Sequence, residues 1–351
     1  MTDVAVVGFA QAPNVRATPG TTNGVEMLVP ILAEVYQQTG LSKEDIGFWC
    51  SGSSDYLAGR AFSFIAAVDA IGAFPPIHES HVEMDAAWAL YEAWLKIRMG
   101  EVDTALVYGF GKSSAGQLRR VLALQLDPYL VAPLWPDSVS IAGIQARLGL
   151  ESGLWSEKDL AEVAARSRAD AAANPHAQLS GQVDVAELLD APLVADPLRA
   201  HDIAPVTDGA AVIVLASAER ARELTERPAV ITGIEHRVDS PVLGARDLTR
   251  SPSTEAAGRA AGAGGVEVAE LHAPFTHQEL ILRRELGLGD DVRVNPSGGV
   301  LTGNPMFSAG LARIGEAANQ ILTGRARKVL AHATSGPVLQ QNLVAVLEGL
   351  D

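Results

Sequence analysis

Three early segments of the 351-residue chain reappear, in the same order, towards its C-terminal end. DVAVVGFA at 3–10 has a counterpart in PAVITGIE at 228–235, and EDIGFWCSGSS at 44–54 in VEVAELHAPFT at 266–276. GEVDTALVYGFGKSS at 100–114 parallels GRARKVLAHATSGP at 324–337. All three offsets lie at about 222 to 225 residues, a regularity that marks an internal duplication. Each half reads strand, helix, strand, helix, strand, with helices expected over 24–39 and 85–99, then over 252–263 and 309–323. Such alternation predicts crossover connections and largely parallel, buried sheets. The expected division is 1–220 and 221–351, the first half carrying an irregular excursion over 116–200 that is punctuated by Pro128, Pro133, Pro136, Pro175, Pro192 and Pro197. That excursion is a natural cover for a ligand cleft.

With 48% apolar and 20% charged residues the chain can bury a large core. Its formal charge of −15 speaks against nucleic-acid binding, which needs a basic face. The single cysteine, Cys50, excludes an intrachain disulfide and any multi-thiolate metal site. The N-terminal stretch reads as a strand rather than a signal peptide, and no apolar run is long enough to span a membrane. The expectation is a soluble, cytoplasmic α/β protein without a bound metal.

VNPSGGVLTGNPMFSAG at 294–310 is the densest motif. Gly298, Gly299 and Gly303 let backbone amides approach a ligand, and Asn304 adds a donor and an acceptor. Taken locally, a tight turn with a polar cap also accounts for it. ELHAPFTHQEL places His272 at a strand end and His277 at a helix start, while LAHATSGP puts His332, Ser335 and Gly336 at the end of the last repeat strand. Imidazoles there can act as bases or donors, although a structural histidine is the commoner case. Asp208, before an apolar strand, reads as a loop cap. Of the well-known signatures, GFGKSS at 109–114 has Leu106 where a phosphate loop needs its first glycine, and neither G-x-S-x-G nor H-E-x-x-H occurs.

Taken together these pieces resemble the thiolase superfamily, in particular its sterol-carrier-protein-type, lipid-transfer-protein thiolase-like branch. AEVAARSRADAAANPHAQ (161–178) is similar to that branch's helix ending in Asn-Pro-x-Ala. DPLRAHDIAPVTDGAAVIVLAS (196–217) is similar to its Asp-Pro-Leu … Ser-Asp-Gly-Ala-Ala signature. HAPFTHQEL stands where the family has His-Asp-x-Phe, and NPSGGVLTGNP where it has Asn-x-x-Gly-Gly … Gly-His-Pro. The resemblance implies a five-layer αβαβα fold with two pseudo-twofold-related halves, a dimer, and an acyl-CoA substrate under the excursion, with no further cofactor.

Where the resemblance places a nucleophilic cysteine, at the head of the first-half helix, HVEMDAAWAL offers Asp85. An ionised carboxylate is a weak nucleophile towards a thioester, whereas aspartate at a helix start is a preferred cap. Two functions remain open. The chain is a subunit of a complex that cleaves β-hydroxyacyl-CoA by a retro-aldol step in steroid or lipid side-chain degradation, with His272 and Asn304 as donors and His332 or His277 as base. Alternatively, it is an inactive structural partner of an active thiolase-like subunit. For either, the resemblance allows a heterodimer with a second thiolase-like chain and an OB-fold, zinc-ribbon acyl-CoA-binding protein.

Overall fold

The structure is a computed structural model that describes residues 2–19, 24–55 and 62–350. In chain order its strands are β1 (Val4–Gln11), β2 (Phe48–Gly52), β3 (Glu79–Val82), β4 (Thr104–Lys112), β5 (Leu193–Ala195), β6 (Leu198–Arg199), β7 (Asp208–Ser217), β8 (Ala229–Val238), β9 (Val268–Leu271), β10 (Arg293–Val294), β11 (Lys328–Ser335) and β12 (Gln341–Gly349). Within the large sheet the order β1-β7-β4-β2-β3 of the first half is matched by β8-β12-β11-β9-β10 in the second. The duplication read from the sequence is thus a duplication of topology. The two five-stranded halves join where Ala5 pairs with Val230 and Val6 with Ala229.

Strand alternation divides the core into layers. Val4, Val6, Cys50, Val107 and Ile213 face one side of the first half-sheet, where they meet the helices Ala86–Arg98 and Ala309–Leu322. The second half-sheet meets the same helices through Val268, Val329, Ala331 and Leu343. Both helices therefore pack in the central layer, and alanines at 86, 87, 89 and 93, then at 309, 312, 317 and 318, give their buried faces the slim profile this demands. Ala5, Val7, Trp49 and Leu106 point outward to the helix Gly24–Thr39, and Leu271, Leu330 and Val344 point outward towards the helices Pro252–Ala261 and Thr276–Glu285. The result is the αβαβα stack expected from the resemblance.

One expectation needs correcting. The sheet is mixed rather than largely parallel: β2 runs parallel to β3 and β4, and β9 parallel to β10 and β11, but β7 and β12 run antiparallel to all their neighbours. The reason lies in the connections. The turn 336–340 is too short for a crossover and makes β11 and β12 a hairpin. In the first half the excursion replaces that turn, and β7 returns beside β4 in the same sense as a hairpin strand.

Candidate active site

Asp85 caps two helices at once. Its carboxylate accepts from the backbone N–H of Ala87 (2.9 Å) at the start of its own helix, and from Gly310 (2.9 Å) and Leu311 (3.1 Å) at the start of Ala309–Leu322. The Ala86 N–H completes the junction by donating to the Phe307 carbonyl at 2.9 Å. The four free N–H groups of a helix start attract an acceptor, and the dipoles of both helices favour negative charge. Burial pushes the Asp85 carboxyl up, and its three N–H bonds pull it back down.

A cleft of about 290 Å³ opens beside this junction. The excursion lines it with Leu118, Leu122, Leu126, Val139 and Ile141, and the second half with Phe275, Met306, Phe307, Val338 and Leu339. Its polar groups include Asp85, Arg119, Gln278, Thr334 and Ser335, together with His272 and Asn304. Phe307 (φ 70°), Val338 (φ 50°) and Leu339 (φ 58°) hold left-handed backbone that disfavours non-glycine residues. Three such residues on one wall mark where the fold stores strain, and clustering of that kind is typical of ligand sites.

His272 follows β9, and its position is fixed through several bonds. Arg166 binds the buried Glu279 carboxylate at 2.6 Å and 2.7 Å, and Glu279 accepts from Asn295 Nδ2 at 2.9 Å. Asn295 Oδ1 in turn accepts the Leu271 N–H at 2.6 Å, and the His272 N–H donates to the His332 carbonyl at 3.2 Å. On the ring, Nδ1 accepts the Thr334 N–H at 3.4 Å. Because a backbone amide can only donate, the proton of the neutral ring belongs on Nε2. Burial, chiefly, and then the neighbouring His332 and Arg313 pull this imidazole down to about 3, against a small opposing pull from the Asn304 side chain. His272 is accordingly a neutral donor at physiological pH. Asn304 Oδ1 lies near enough to act on this ring but makes no hydrogen bond of normal geometry.

Asp85, His272, Asn304, Ser335 and Gly336 thus meet in one cleft, although they come from sequence positions as far apart as 85 and 336. The other candidates lie elsewhere. His332 is on the face of β11 that points away from the central layer, where its Nε2 donates to Asn342 Oδ1 at 3.0 Å; burial brings it down to about 4. His277, brought down by burial to about 3, shares Gln145 Oε1 with Gln278, at 3.0 Å and 2.9 Å. Gln145 belongs to the excursion helix Ser138–Glu151, so His277 anchors the cover of the cleft rather than lining it. Gly298 (φ 93°) and Gly299 (φ 62°) form the turn at Ser297, which a buried ion pair holds. There Glu270 binds Arg313 at 2.6 Å and Ser297 Oγ at 2.7 Å. A Cβ on Gly303 would come within 2.6 Å of the Asn14 side chain, so close packing accounts for that glycine. Neither His332 nor His277 nor these three glycines line the cleft.

Asp208 is buried and binds Thr18 and Ser114, tying the segment after β4 to the N-terminal segment. Cys50 is fully buried in β2 beside Glu92 and lies off the cleft. The reading of the sequence missed Phe275, Phe307, Thr334 and the excursion's apolar lining. All three named residues stand inside stretches already singled out, while a bulky apolar residue in an irregular segment carries no local signal. Among the described residues no helix is long and apolar enough to cross a membrane, and no group of three or more His, Cys, Asp or Glu is placed to hold a metal ion.

No family model matches the chain. Among curated proteins it is 30% identical over 214 residues to an acetyl-CoA acetyltransferase of Methanothermobacter thermautotrophicus, covering 54% of this chain and 56% of that one. An acetyl-CoA acetyltransferase of Methanocaldococcus jannaschii is 25% identical over 90% of this chain and 89% of its own. A 17-hydroxy-3-oxo-4-pregnene-20-carboxyl-CoA lyase of Mycobacterium tuberculosis is 27% identical over 64% of this chain and 61% of its own. The chain spans about half the length of the first curated relatives it matches. Among solved structures an Ltp2-ChsH2(DUF35) aldolase superposes over 99% of this chain and 97% of its own with a TM-score of 0.80, at 18% identity. Sequence and fold agree: the chain has thiolase-superfamily homologues, with sterol-carrier and lipid-transfer-like proteins and a steroid side-chain lyase among them.

Proposed function

We propose that the cleft binds an acyl-CoA thioester with a bulky apolar acyl group, and that the chain serves retro-aldol cleavage of a β-hydroxyacyl-CoA in steroid or lipid side-chain degradation. The observation that carries this reading is the double cap at Asp85. A carboxylate engaged by three N–H groups on two helices is a poor nucleophile, and attack on a thioester would in any case give a labile anhydride. Bond breaking then has to run through the bound substrate. Loss of the β-hydroxyl proton and scission of Cα–Cβ leave an enolate on the thioester oxygen. The His272 Nε2–H, with the Asn304 amide beside it, supplies donors for that oxygen, and one such donor is worth about 10²–10³ in rate. The largely apolar walls suit a hydrophobic acyl group. The lyase relative supports the substrate class, and the Ltp2-ChsH2(DUF35) aldolase neighbour supports an assembly with a second chain.

A second reading, a non-catalytic subunit of such an assembly, is favoured by one specific observation. His332, inside β11, and His277, at a helix start, are both absent from the cleft wall. Purification alone and with its co-expressed genomic neighbours, followed by assay on 3-hydroxyacyl-CoA and 3-ketoacyl-CoA thioesters, separates the two. The assembly is expected to cleave the 3-hydroxy substrates, and His272→Ala to lower turnover by about 100-fold or more. Unchanged turnover in His272→Ala would favour the non-catalytic reading. Thiolysis by the isolated chain would remove the non-covalent route altogether.

A further inference from the structure

We propose that Asp85 is the acid–base group of the cleft, a role that rests on the retro-aldol reading above and completes it. Among the described residues, three groups that can carry charge line the cleft: Asp85, His272 and Arg119. His272 has its Nδ1 occupied by the Thr334 N–H and is a donor. Arg119 is largely exposed and faces Asp137 at 3.6 Å; a guanidinium does not accept protons. Asp85 is the remaining acceptor. Its two oxygens are unequally used, since Oδ1 takes the N–H groups of Ala87 and Leu311 and Oδ2 takes Gly310 alone. With about two lone pairs per oxygen, Oδ2 keeps one free.

No charged side chain sets the state of this carboxyl. On the facing helix, Arg313 is bound to Glu270, and Glu316 to Gln11 and Asn174. On its own helix, Glu92 takes Ser80 and Cys50. Burial favours the acid and the three N–H bonds favour the anion, an opposition that suits a group taking and returning one proton.

In the forward step Oδ2 takes the β-hydroxyl proton while the Cα–Cβ bond breaks. The hydroxyl oxygen becomes the carbonyl of the leaving fragment, and the electron pair of the broken bond passes to the enolate held by His272. The protonated Asp85 then delivers its proton to Cα, which releases the shortened acyl-CoA and restores the carboxylate. One proton moves from oxygen to carbon, and no further reactant is needed.

The test uses the full chain in the assembly in which it is isolated, with propionyl-CoA as the probe. Exchange of the α-hydrogens of propionyl-CoA with solvent deuterium, read by mass spectrometry, reports the second proton transfer without the carbonyl product. Asp85→Asn keeps an oxygen for the Ala87 and Leu311 N–H groups and removes the base. Exchange is expected to slow by about 100-fold or more, with the Kd for propionyl-CoA changed by no more than a few fold. In the unmodified protein, exchange should fall along a one-proton limb as the pH is lowered and the carboxylate takes up its proton. That measurement also decides the matter if Asp85→Asn does not fold. A flat profile, or exchange at the normal rate in Asp85→Asn, overturns the role of Asp85 and leaves the cleavage reading intact. Failure of the unmodified protein to bind any acyl-CoA removes both.

Discussion

Asp85 accepts one N–H from its own helix and two from a helix that begins more than 220 residues later. A single N-cap is worth about 1 kcal/mol, and a buried donor left without a partner costs about 1–3 kcal/mol. Asp85→Ala should therefore destabilise the protein by about 3 kcal/mol or more, measured as the shift in urea unfolding. A loss below about 1 kcal/mol would mean that water replaces the carboxylate at both helix starts. In the same cleft a single backbone N–H, that of Thr334, decides the chemistry of His272. By occupying Nδ1 it leaves the ring a donor on Nε2 and withholds the nitrogen a base would need.

At the scale of the element, the two central helices pack so closely that a methyl group has no room. A Cβ on Gly310 would lie 2.6 Å from Asp85 Oδ1 and 2.7 Å from Ala333 Cβ. In an open helix, glycine to alanine gains about 1 kcal/mol. Gly310→Ala is expected to lose stability instead, because relief of the clash must displace either the double cap or β11. A thermal unfolding midpoint at or above that of the unmodified protein would show the junction to be looser than described. The excursion behaves as an element of the second half as well as of the first. Gln145 and Arg166 fasten it to His277 and Glu279, on the helix that follows His272. The cover of the cleft and one of its donors are therefore positioned by the same contacts.

For the whole molecule, burial lowers four histidines of the described residues, His201 among them. Burial holds His272 and His277 down to about 3 and His332 to about 4. The unfolded chain takes up protons at these positions near pH 6.5 while the folded protein does not. Stability from this source is complete above about pH 6.5 and is lost as the pH falls towards 4. Asp85 and Glu270, raised by burial, act with the opposite sign and offset part of the loss low in that window. A urea midpoint that falls from pH 7 to pH 5, ever more steeply as each unfolded imidazole approaches one bound proton, is the expected result; a constant midpoint would contradict it. The core makes a second prediction. Cys50 is fully buried, and burial followed by Glu92 and Glu79 pushes its thiol up. A thiol reagent should react with the native protein only at the rate of unfolding, and immediately in denaturant. Rapid labelling of the native protein would place the thiol at the surface.

The sequence by itself determined the duplication, the helices that carry it and the cap at Asp85. Each of these depends on neighbours within a few residues: period-2 and period-3.6 burial, a turn glycine, an acid at a helix start. Ala86–Arg98 and Ala309–Leu322 fall within a residue or so of the helices read from that pattern. Which histidine meets the cleft was not legible. In the sequence His272 and His332 each follow a short apolar run with similar local surroundings. However, His332 continues the outward alternation of β11, whereas His272 lies just past the end of β9, where the chain turns towards the cleft. Only the packing of the layers decided which side of the sheet held a ligand space and which held the outer helices. The same holds for the second pair of donors on Asp85 and for the excursion's apolar wall, since both arise between residues that only the closed fold brings together.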